Sequence, residues 1–247
     1  MNDLRANIKL IIAIIVIFLL VLGIFFIREK LSSNFSDAEE QQIQLSVDEL
    51  PDYSDSVLYN YANSSSNDLH TYLNNLSNNH KLLIGGINDS VSFSTIRNNL
   101  IDKFGTDLGV RDEDYYMLDD DSEPLYILKN GIYTYNEDAP ETDYITELGE
   151  YFLYNYKVKN IKNENGLIAV TYYGLYYQEN MGEENTYYNK NKKILNKEDK
   201  ENYSYYEFES SIDNYFNTNK NDFLEFKYYL EPKDNSYVLK EFEILNK

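Results

Sequence analysis

The feature that most limits how this chain can fold is an uninterrupted apolar run near its amino terminus. Residues 10–27 contain no polar or charged side chain, and Lys9 and Arg28 close the run on its two sides. As an α-helix rising about 1.5 Å per residue, the run covers about 27 Å, close to the hydrocarbon thickness of a bilayer. It therefore predicts a single transmembrane helix, with the lipid bilayer as its partner through residues 10–27.

A cleaved signal peptide is the alternative interpretation of this run. The apolar region of a signal peptide spans about 7–15 residues and ends at a cleavage site of small residues. Here the run is longer, and Arg28-Glu29-Lys30-Leu31 follows it, which is a poor cleavage context. The chain also has no cysteine, which excludes a cysteine-anchored lipoprotein. An uncleaved anchor is the favoured prediction.

The charges around the run predict its orientation. Arg5, Lys9 and the α-amino group precede it, and Arg28 and Lys30 follow it, so the local count favours a cytoplasmic N-terminus only slightly. Residues 31–80 contain no lysine or arginine, and long downstream domains are translocated largely regardless of charge. We therefore expect a single-pass protein of the cell membrane, with a cytoplasmic N-terminus and the bulk of the chain extracytoplasmic.

The remainder of the chain is strongly acidic. After residue 30 it has 18 basic and 40 acidic residues, with the excess of acid greatest in residues 37–124. Nucleic acid and anionic lipid surfaces attract proteins with clusters of lysine and arginine, so this composition argues against both as partners. It suits solubility, cation attraction or a basic partner.

The sequence pattern predicts an α+β fold after the anchor. We expect a cytoplasmic tip and transmembrane anchor in residues 1–30, a polar stalk in 31–56, and an extracytoplasmic α+β domain in 57–247. That domain divides into a helical part, 57–110, and a sheet-rich part, 111–247.

Local signals support this division. One helix is predicted to start at Asp68, and a second over residues 92–104, where Ser92 can cap the start and Gly105 the end. Turn residues then predict three hairpins and a short helix before the last of them. The hairpin strands are 125–129 with 132–136, 152–162 with 167–177, and 222–231 with 237–245. The sum is an antiparallel sheet of about six strands, and helices on its concave face, as in the NTF2-like fold, would suit it.

Three segments carry a family resemblance: LSNNHKLLIGGIN at 76–88, IRNNLIDKFGTDLGV at 96–110 and PLYILKNGIYTYN at 124–136. With the anchor and the acidic stalk, the chain resembles a loose group of uncharacterised membrane-anchored proteins of low-GC Gram-positive bacteria. The resemblance implies a location in the cell envelope. It implies no activity, because none is established for that group.

One acidic segment is a candidate metal site. Residues 112–123 contain seven carboxylates, and carboxylate oxygens are the ligands that calcium prefers. The spacing does not match an EF-hand, so a solvated acidic loop is the competing interpretation. The candidate calcium ligands are Asp112, Asp114, Asp119, Asp121 and Glu123, and no other cofactor is expected.

Recognisable catalytic motifs are missing from the sequence. His70 and His80 would lie about 15 Å apart on one continuous helix, too far to share a metal. Paired tyrosines on the predicted strands either fill the core or present outward rings to a glycan or protein partner. We therefore expect a non-enzymatic binding or protein-interaction module of the bacterial cell envelope, with envelope proteins or glycans as partners. The alternative is an envelope hydrolase that uses two carboxylates, a pair that sequence alone does not identify.

Overall fold

The structure of the protein is a computed structural model. It describes residues 35–50, 54–116, 123–139, 151–178, 186–193, 195, 205–234 and 236–246. Within these ranges no helix is both long and apolar enough to cross a bilayer. The apolar run at 10–27 lies outside them.

Five helices come first in the described chain, and their polar caps explain where most of them begin. They are α1 (Asp37–Asp48), α2 (Ser54–Asn63), α3 (Leu69–Asn74), α4 (Asn78–Ile84) and α5 (Phe93–Phe104). The helices predicted to start at Asp68 and Ser92 are confirmed, because both side chains accept a hydrogen bond from a first-turn backbone N–H. Helix α5 ends at Gly105, whose φ of 77° is the left-handed conformation of a helix C-cap.

The three predicted hairpins are present. Strands β1 (Tyr126–Lys129) and β2 (Ile132–Tyr135) flank Asn130 and Gly131, both at positive φ, as a tight hairpin turn requires. The later strands are β3 (Phe152–Glu164), β4 (Leu167–Gln178), β5 (Thr186–Tyr188), β6 (Leu224–Lys233) and β7 (Ser236–Ile244). A late helix, α6 (Tyr205–Asn219), and a 3₁₀ turn (Lys220–Asp222) precede β6.

The fold class is therefore α+β, with early helices followed by antiparallel strands. The strands do not form the one sheet of about six that the sequence predicted. β1 and β2 pair only with each other, while the main sheet has five strands in the order β3-β4-β6-β7, with β5 paired to β4. The first hairpin instead joins the helices through hydrogen bonds of 2.8–2.9 Å between its backbone and residues 90–93.

Both faces of the main sheet are covered near its centre. Helices α1–α5 and the first hairpin bury one face in the larger core, whose sheet residues include Val170, Tyr172 and Tyr228. Helix α6 covers part of the other face with a smaller core formed around Tyr173 and Phe216. The sheet therefore has helices on its two sides, not on one.

Helix α1 lies within the span that the sequence assigned to a polar stalk. Its Ile43 and Val47 are fully buried, while Leu45 points outward. Ser36 and Glu39 form a capping box, in which each side chain accepts a hydrogen bond from the backbone N–H of the other residue. This capping box defines where the helix begins. The folded part of the chain thus begins by residue 37.

Candidate functional site

A cleft of about 700 Å³ runs along the edge strand β3, between helix α6 on one face of the sheet and helix α1 on the other. Three of its lysines, Lys157, Lys159 and Lys162, come from strand β3, and Lys220 comes from the 3₁₀ turn after α6. We call this site the lysine cleft. It is notable in a chain whose formal net charge is −20.

A β-bulge in strand β3 brings the lysines onto one face. Lys157 is opposite Tyr173 and Lys162 is opposite Ala169, with a register shift between them. Tyr173 and Ala169 are four residues apart on β4, so they face the same side, and their partners do too. In a regular strand Lys157 and Lys162, five residues apart, would face opposite sides. The bulge thus re-aims a side chain, as bulges do at functional sites.

Two buried aromatic rings set the positions of the lysine ammonium groups. The Nζ of Lys157 lies 5.6 Å from the centre of the Phe216 ring, and that of Lys159 lies 5.3 Å from the Tyr173 ring. Lys220 reaches both rings, at 4.8 Å from Tyr173 and 5.7 Å from Phe216. Each such contact stabilises an ammonium group by about 0.5–1 kcal/mol when exposed. The rings therefore hold the charges in place without neutralising them.

Most of the positive charge in the cleft is uncompensated. Lys159 forms an ion pair of 2.6 Å with Glu225. Burial alone would lower the pKa of Lys159, but the hydrogen bond and charge of Glu225 raise it overall. In the part of the chain that the structure describes, Lys157, Lys162 and Lys220 have no carboxylate partner, and Glu40 is the acidic residue on the cleft lining.

Distance screens the acidic remainder of the protein from this cleft. At physiological ionic strength the Debye length is about 8 Å, so exposed carboxylates farther away contribute little to the local potential. Among the residues that line the cleft, four are lysines and one, Glu40, is acidic. The lysine cleft can therefore attract an anionic group although the protein as a whole is acidic.

A second cleft, of about 570 Å³, is acidic, and its carboxylates are engaged by neighbouring side chains. Its carboxylates are Glu164, Glu241 and Glu243. Lys227 lies 3.1 Å from Glu164 and 3.8 Å from Glu243. The hydroxyl of Tyr61 donates a hydrogen bond to Glu241. These carboxylates are already engaged, which makes this cleft a weaker candidate than the lysine cleft.

The candidate calcium ligands are only partly within the described residues. Asp112 and Asp114 line a third cleft, of about 620 Å³, and Asp114 accepts a 2.7 Å hydrogen bond from the backbone N–H of Leu128. Glu123 is exposed, and Asp119 and Asp121 lie outside the description. Among the residues that are described, no three carboxylates or histidines are arranged to hold a metal ion. Calcium binding by this segment stays a prediction.

Of the two interpretations of the paired tyrosines, the described pairs fit core and boundary filling better than outward-facing rings. Tyr172 and Tyr173 are both buried, because helices cover both faces of the sheet at this point. Tyr228 is buried and its neighbour Tyr229 is partly buried. Within the described pairs the rings therefore serve mainly as core and boundary residues.

Two aspartates lie beside the buried tyrosines of the larger core. The hydroxyl of Tyr172 donates a hydrogen bond of 3.1 Å to Asp48, and burial raises the pKa of Asp48 although this hydrogen bond opposes the shift. Burial raises the pKa of Asp55 to about 7, and its charge acts on Tyr228. Such a carboxyl could act as an acid near neutral pH. None of the three clefts described above contains either aspartate.

Comparison with protein-family models, curated proteins and solved structures gave no match.

Sequence reasoning did not find the lysine cleft. Its lysines are separated along the chain, and the bulge that aligns Lys157 with Lys162 has no sequence signature of its own. The available signal was the local pattern of three lysines in a six-residue strand segment of an acidic chain. The position of Lys220 depends on how α6 packs, which only the fold reveals.

Proposed function

We propose that this chain is a membrane-anchored, extracytoplasmic binding module of the bacterial cell envelope that takes an anionic group into the lysine cleft. The apolar run at residues 10–27 serves as the anchor, with the N-terminus cytoplasmic. The resemblance to membrane-anchored proteins of Gram-positive bacteria supports this location. The single observation that carries the binding role is the set of three cleft lysines without carboxylate partners, two of which, Lys157 and Lys220, lie over the buried rings of Tyr173 and Phe216.

We also propose that the fold is NTF2-like. An NTF2-like arrangement, with the early helices on one face of a curved sheet, is supported by the packing of α1–α5 on the larger core. Register shifts in β3 and between β6 and β7 support curvature, because bulges bend strands. A shared fold of this kind would carry no information on the ligand.

The expected affinity gain from the cleft is modest but measurable. A solvent-exposed ion pair contributes about 0.2–1 kcal/mol, so three lysines together contribute on the order of 1–3 kcal/mol. Each 1.4 kcal/mol is about a tenfold change in affinity. Neutralising the three lysines should therefore weaken anion binding by about tenfold or more.

Titration of the full-length protein in non-ionic detergent with poly-L-glutamate and with inorganic polyphosphate tests this function. The probes compare carboxylate with phosphate chemistry. We expect at least one to bind, to bind about tenfold more weakly to the variant Lys157→Gln/Lys162→Gln/Lys220→Gln, and to be released by about 0.5 M salt.

The matched control is Lys129→Gln/Lys190→Gln/Lys193→Gln, which removes the same charge outside the cleft. The proposal requires this control to bind like the wild type. An equal loss in both variants would show that only net charge matters, and no binding of either probe would contradict the proposed function.

The second candidate, a carboxylate-dependent envelope hydrolase, is favoured by Asp48 and Asp55. Burial raises the pKa of both carboxyl groups, and the charges of both act on the buried Tyr228. An acid and a base of this kind are what glycoside hydrolysis uses. A panel of chromogenic glycosides tests it: hydrolysis that is lost in Asp55→Asn but kept in Asp102→Asn would place this candidate first.

A further inference from the structure

Four tyrosine rings pack together at the junction of helix α2 with strands β4 and β5. They belong to Tyr59, Tyr151, Tyr176 and Tyr188. The ring centres of Tyr59, Tyr151 and Tyr176 lie 5.6–5.7 Å from one another, and Tyr188 lies 5.2 Å from Tyr151. The first three side chains are buried. We call these four residues the tyrosine cage.

The ammonium group of Lys192 lies against two rings of the tyrosine cage, those of Tyr151 and Tyr59. Its Nζ lies 4.5 Å from the ring centre of Tyr151 and 5.9 Å from that of Tyr59. It also donates a 3.3 Å hydrogen bond to the Tyr59 hydroxyl. No carboxylate of the described ranges forms an ion pair with Lys192. The charge of Lys192 is therefore held by the faces of aromatic rings, which attract cations through their quadrupole.

The turn that carries Lys192 is built to hold it in this position. Asn189 is buried, and its Oδ1 accepts hydrogen bonds of 3.0 Å from the backbone N–H groups of Asn191 and Lys193. Lys192 has a φ of 57°, a left-handed conformation that costs a non-glycine residue about 1–2 kcal/mol. The hydrogen bonds of the turn offset this cost. The turn thus fixes the backbone position from which the Lys192 side chain reaches the rings.

We propose that the tyrosine cage is a binding site for an alkylammonium group, and that Lys192 is the occupant the chain itself supplies. Contact of an ammonium group with the faces of tyrosine rings is the interaction by which proteins recognise quaternary ammonium ions and alkylated lysines, and two rings of the cage make this contact with Lys192. The external ligand is a cation of that chemical class, carried on a small molecule or on a lysine side chain. The cage shares no residue with the lysine cleft, so the two are separate sites. The cage would take a cation and the cleft an anion.

Lys192 competes with such a ligand from within the same molecule. A tethered competitor acts at an effective concentration in the millimolar range. The apparent affinity of the cage is therefore its intrinsic affinity multiplied by the fraction of time that the cage is free of Lys192. Removal of the Lys192 ammonium group should raise the affinity for an external cation by about tenfold.

The test is a titration of the full-length protein in non-ionic detergent, with binding measured by saturation-transfer NMR of the ligand. The probes are choline, butylammonium as the lysine-like cation, and 3,3-dimethylbutan-1-ol as the uncharged isostere of choline. In Lys192→Ala and in Lys192→Met we expect about tenfold tighter binding of choline or butylammonium than in the wild type. A larger gain in affinity for choline would point to a small molecule that carries a quaternary ammonium group. A larger gain for butylammonium would point to a lysine side chain.

Matched variants separate cation recognition from general charge effects. Lys190→Ala removes a charge from the same turn and should leave the affinity unchanged. Within the Lys192→Ala background, Tyr151→Phe should keep the gain, because a phenyl ring also binds cations, while Tyr151→Leu should remove it. An unchanged affinity in Lys192→Ala and Lys192→Met, equal binding of the uncharged isostere, or a gain that survives Tyr151→Leu would overturn the proposal.

Discussion

Asp55 is a carboxylate held in a buried environment. It lies in the first turn of α2 beside Tyr228, a fully buried residue whose hydroxyl donates a hydrogen bond of 2.9 Å to Asn155. Burial raises the pKa of Asp55 to about 7, and the charge of Asp55 raises the pKa of Tyr228 in turn. Removing the carboxylate charge should therefore favour the folded state.

The stability of the folded domain should depend on pH through this residue. The folded pKa of about 7 exceeds the unfolded value near 3.9, so the folded state binds the proton more tightly. The stabilisation by Asp55 is complete below about pH 4 and is lost as the pH rises to about 7. Over that window we expect the free energy of unfolding to fall by roughly 2–4 kcal/mol on account of Asp55.

Asp55→Asn isolates this contribution. We expect the variant to be more stable than the wild type at pH 8 and to lack the decline between pH 4 and 7, as measured by urea unfolding of residues 31–247. Asp102→Asn, at an exposed position of α5, is the control and should keep the wild-type pH profile. An Asp55→Asn profile parallel to that of the wild type would contradict the assignment.

Among the elements, helix α5 and the first hairpin stabilise one another at the start of the helix. The hydroxyl of Ser92 accepts a 3.0 Å hydrogen bond from the backbone N–H of Thr95. The backbone N–H of Phe93, the residue directly after Ser92, donates a 2.9 Å hydrogen bond to the carbonyl of Gly131 in the hairpin turn. The cap therefore fixes both the helix start and the point where the hairpin docks.

Ser92→Ala should lower the free energy of unfolding by about 1 kcal/mol, because it leaves a helix N–H without its side-chain acceptor. Urea unfolding of residues 31–247 measures this change. Asn98→Ala, at an exposed position in the middle of the same helix, should instead leave stability unchanged or raise it slightly. A loss in Ser92→Ala no larger than that in Asn98→Ala would show that the cap does not contribute.

The sequence predicted those elements whose signals are local. Ser92 and Gly105 marked the ends of α5, and Asn130-Gly131 marked the first hairpin, because caps and tight turns require specific residue types. Helix α1 was missed because only Ile43 and Val47 point inward among polar neighbours. Two inward residues one turn apart are too weak a pattern to distinguish a docked helix from a polar stalk.

Features that depend on long-range packing were beyond the sequence. The bulge in β3 breaks the two-residue period on which strand predictions rest, so the shared face of Lys157 and Lys162 was hidden. The placement of α6 on the second face of the sheet explains why Tyr172 and Tyr173 are both buried. The same placement brings Lys220 to the lysine cleft. Both the cleft and the tyrosine cage therefore emerged only with the fold.

At the scale of the whole molecule, charge is distributed unevenly on an acidic protein. A formal net charge of −20 would repel nucleic acid and other anionic surfaces, while the lysine cleft brings four positively charged side chains together. An anchored module with this distribution would select ligands that present a compact anionic group and would reject broad anionic surfaces. This selectivity is the central claim of the proposed function.

The measurement that tests the claim most directly is photo-crosslinking from the lysine cleft in the native host. The full-length, C-terminally tagged protein would carry a photoactivatable residue at Asn160, which lines the cleft, or at exposed Thr134 as the control. We predict capture of a cell-envelope component from position 160 and not from position 134, lost in Lys157→Gln/Lys162→Gln/Lys220→Gln. Capture of cytoplasmic proteins alone, or a product unchanged by the three substitutions, would contradict the account.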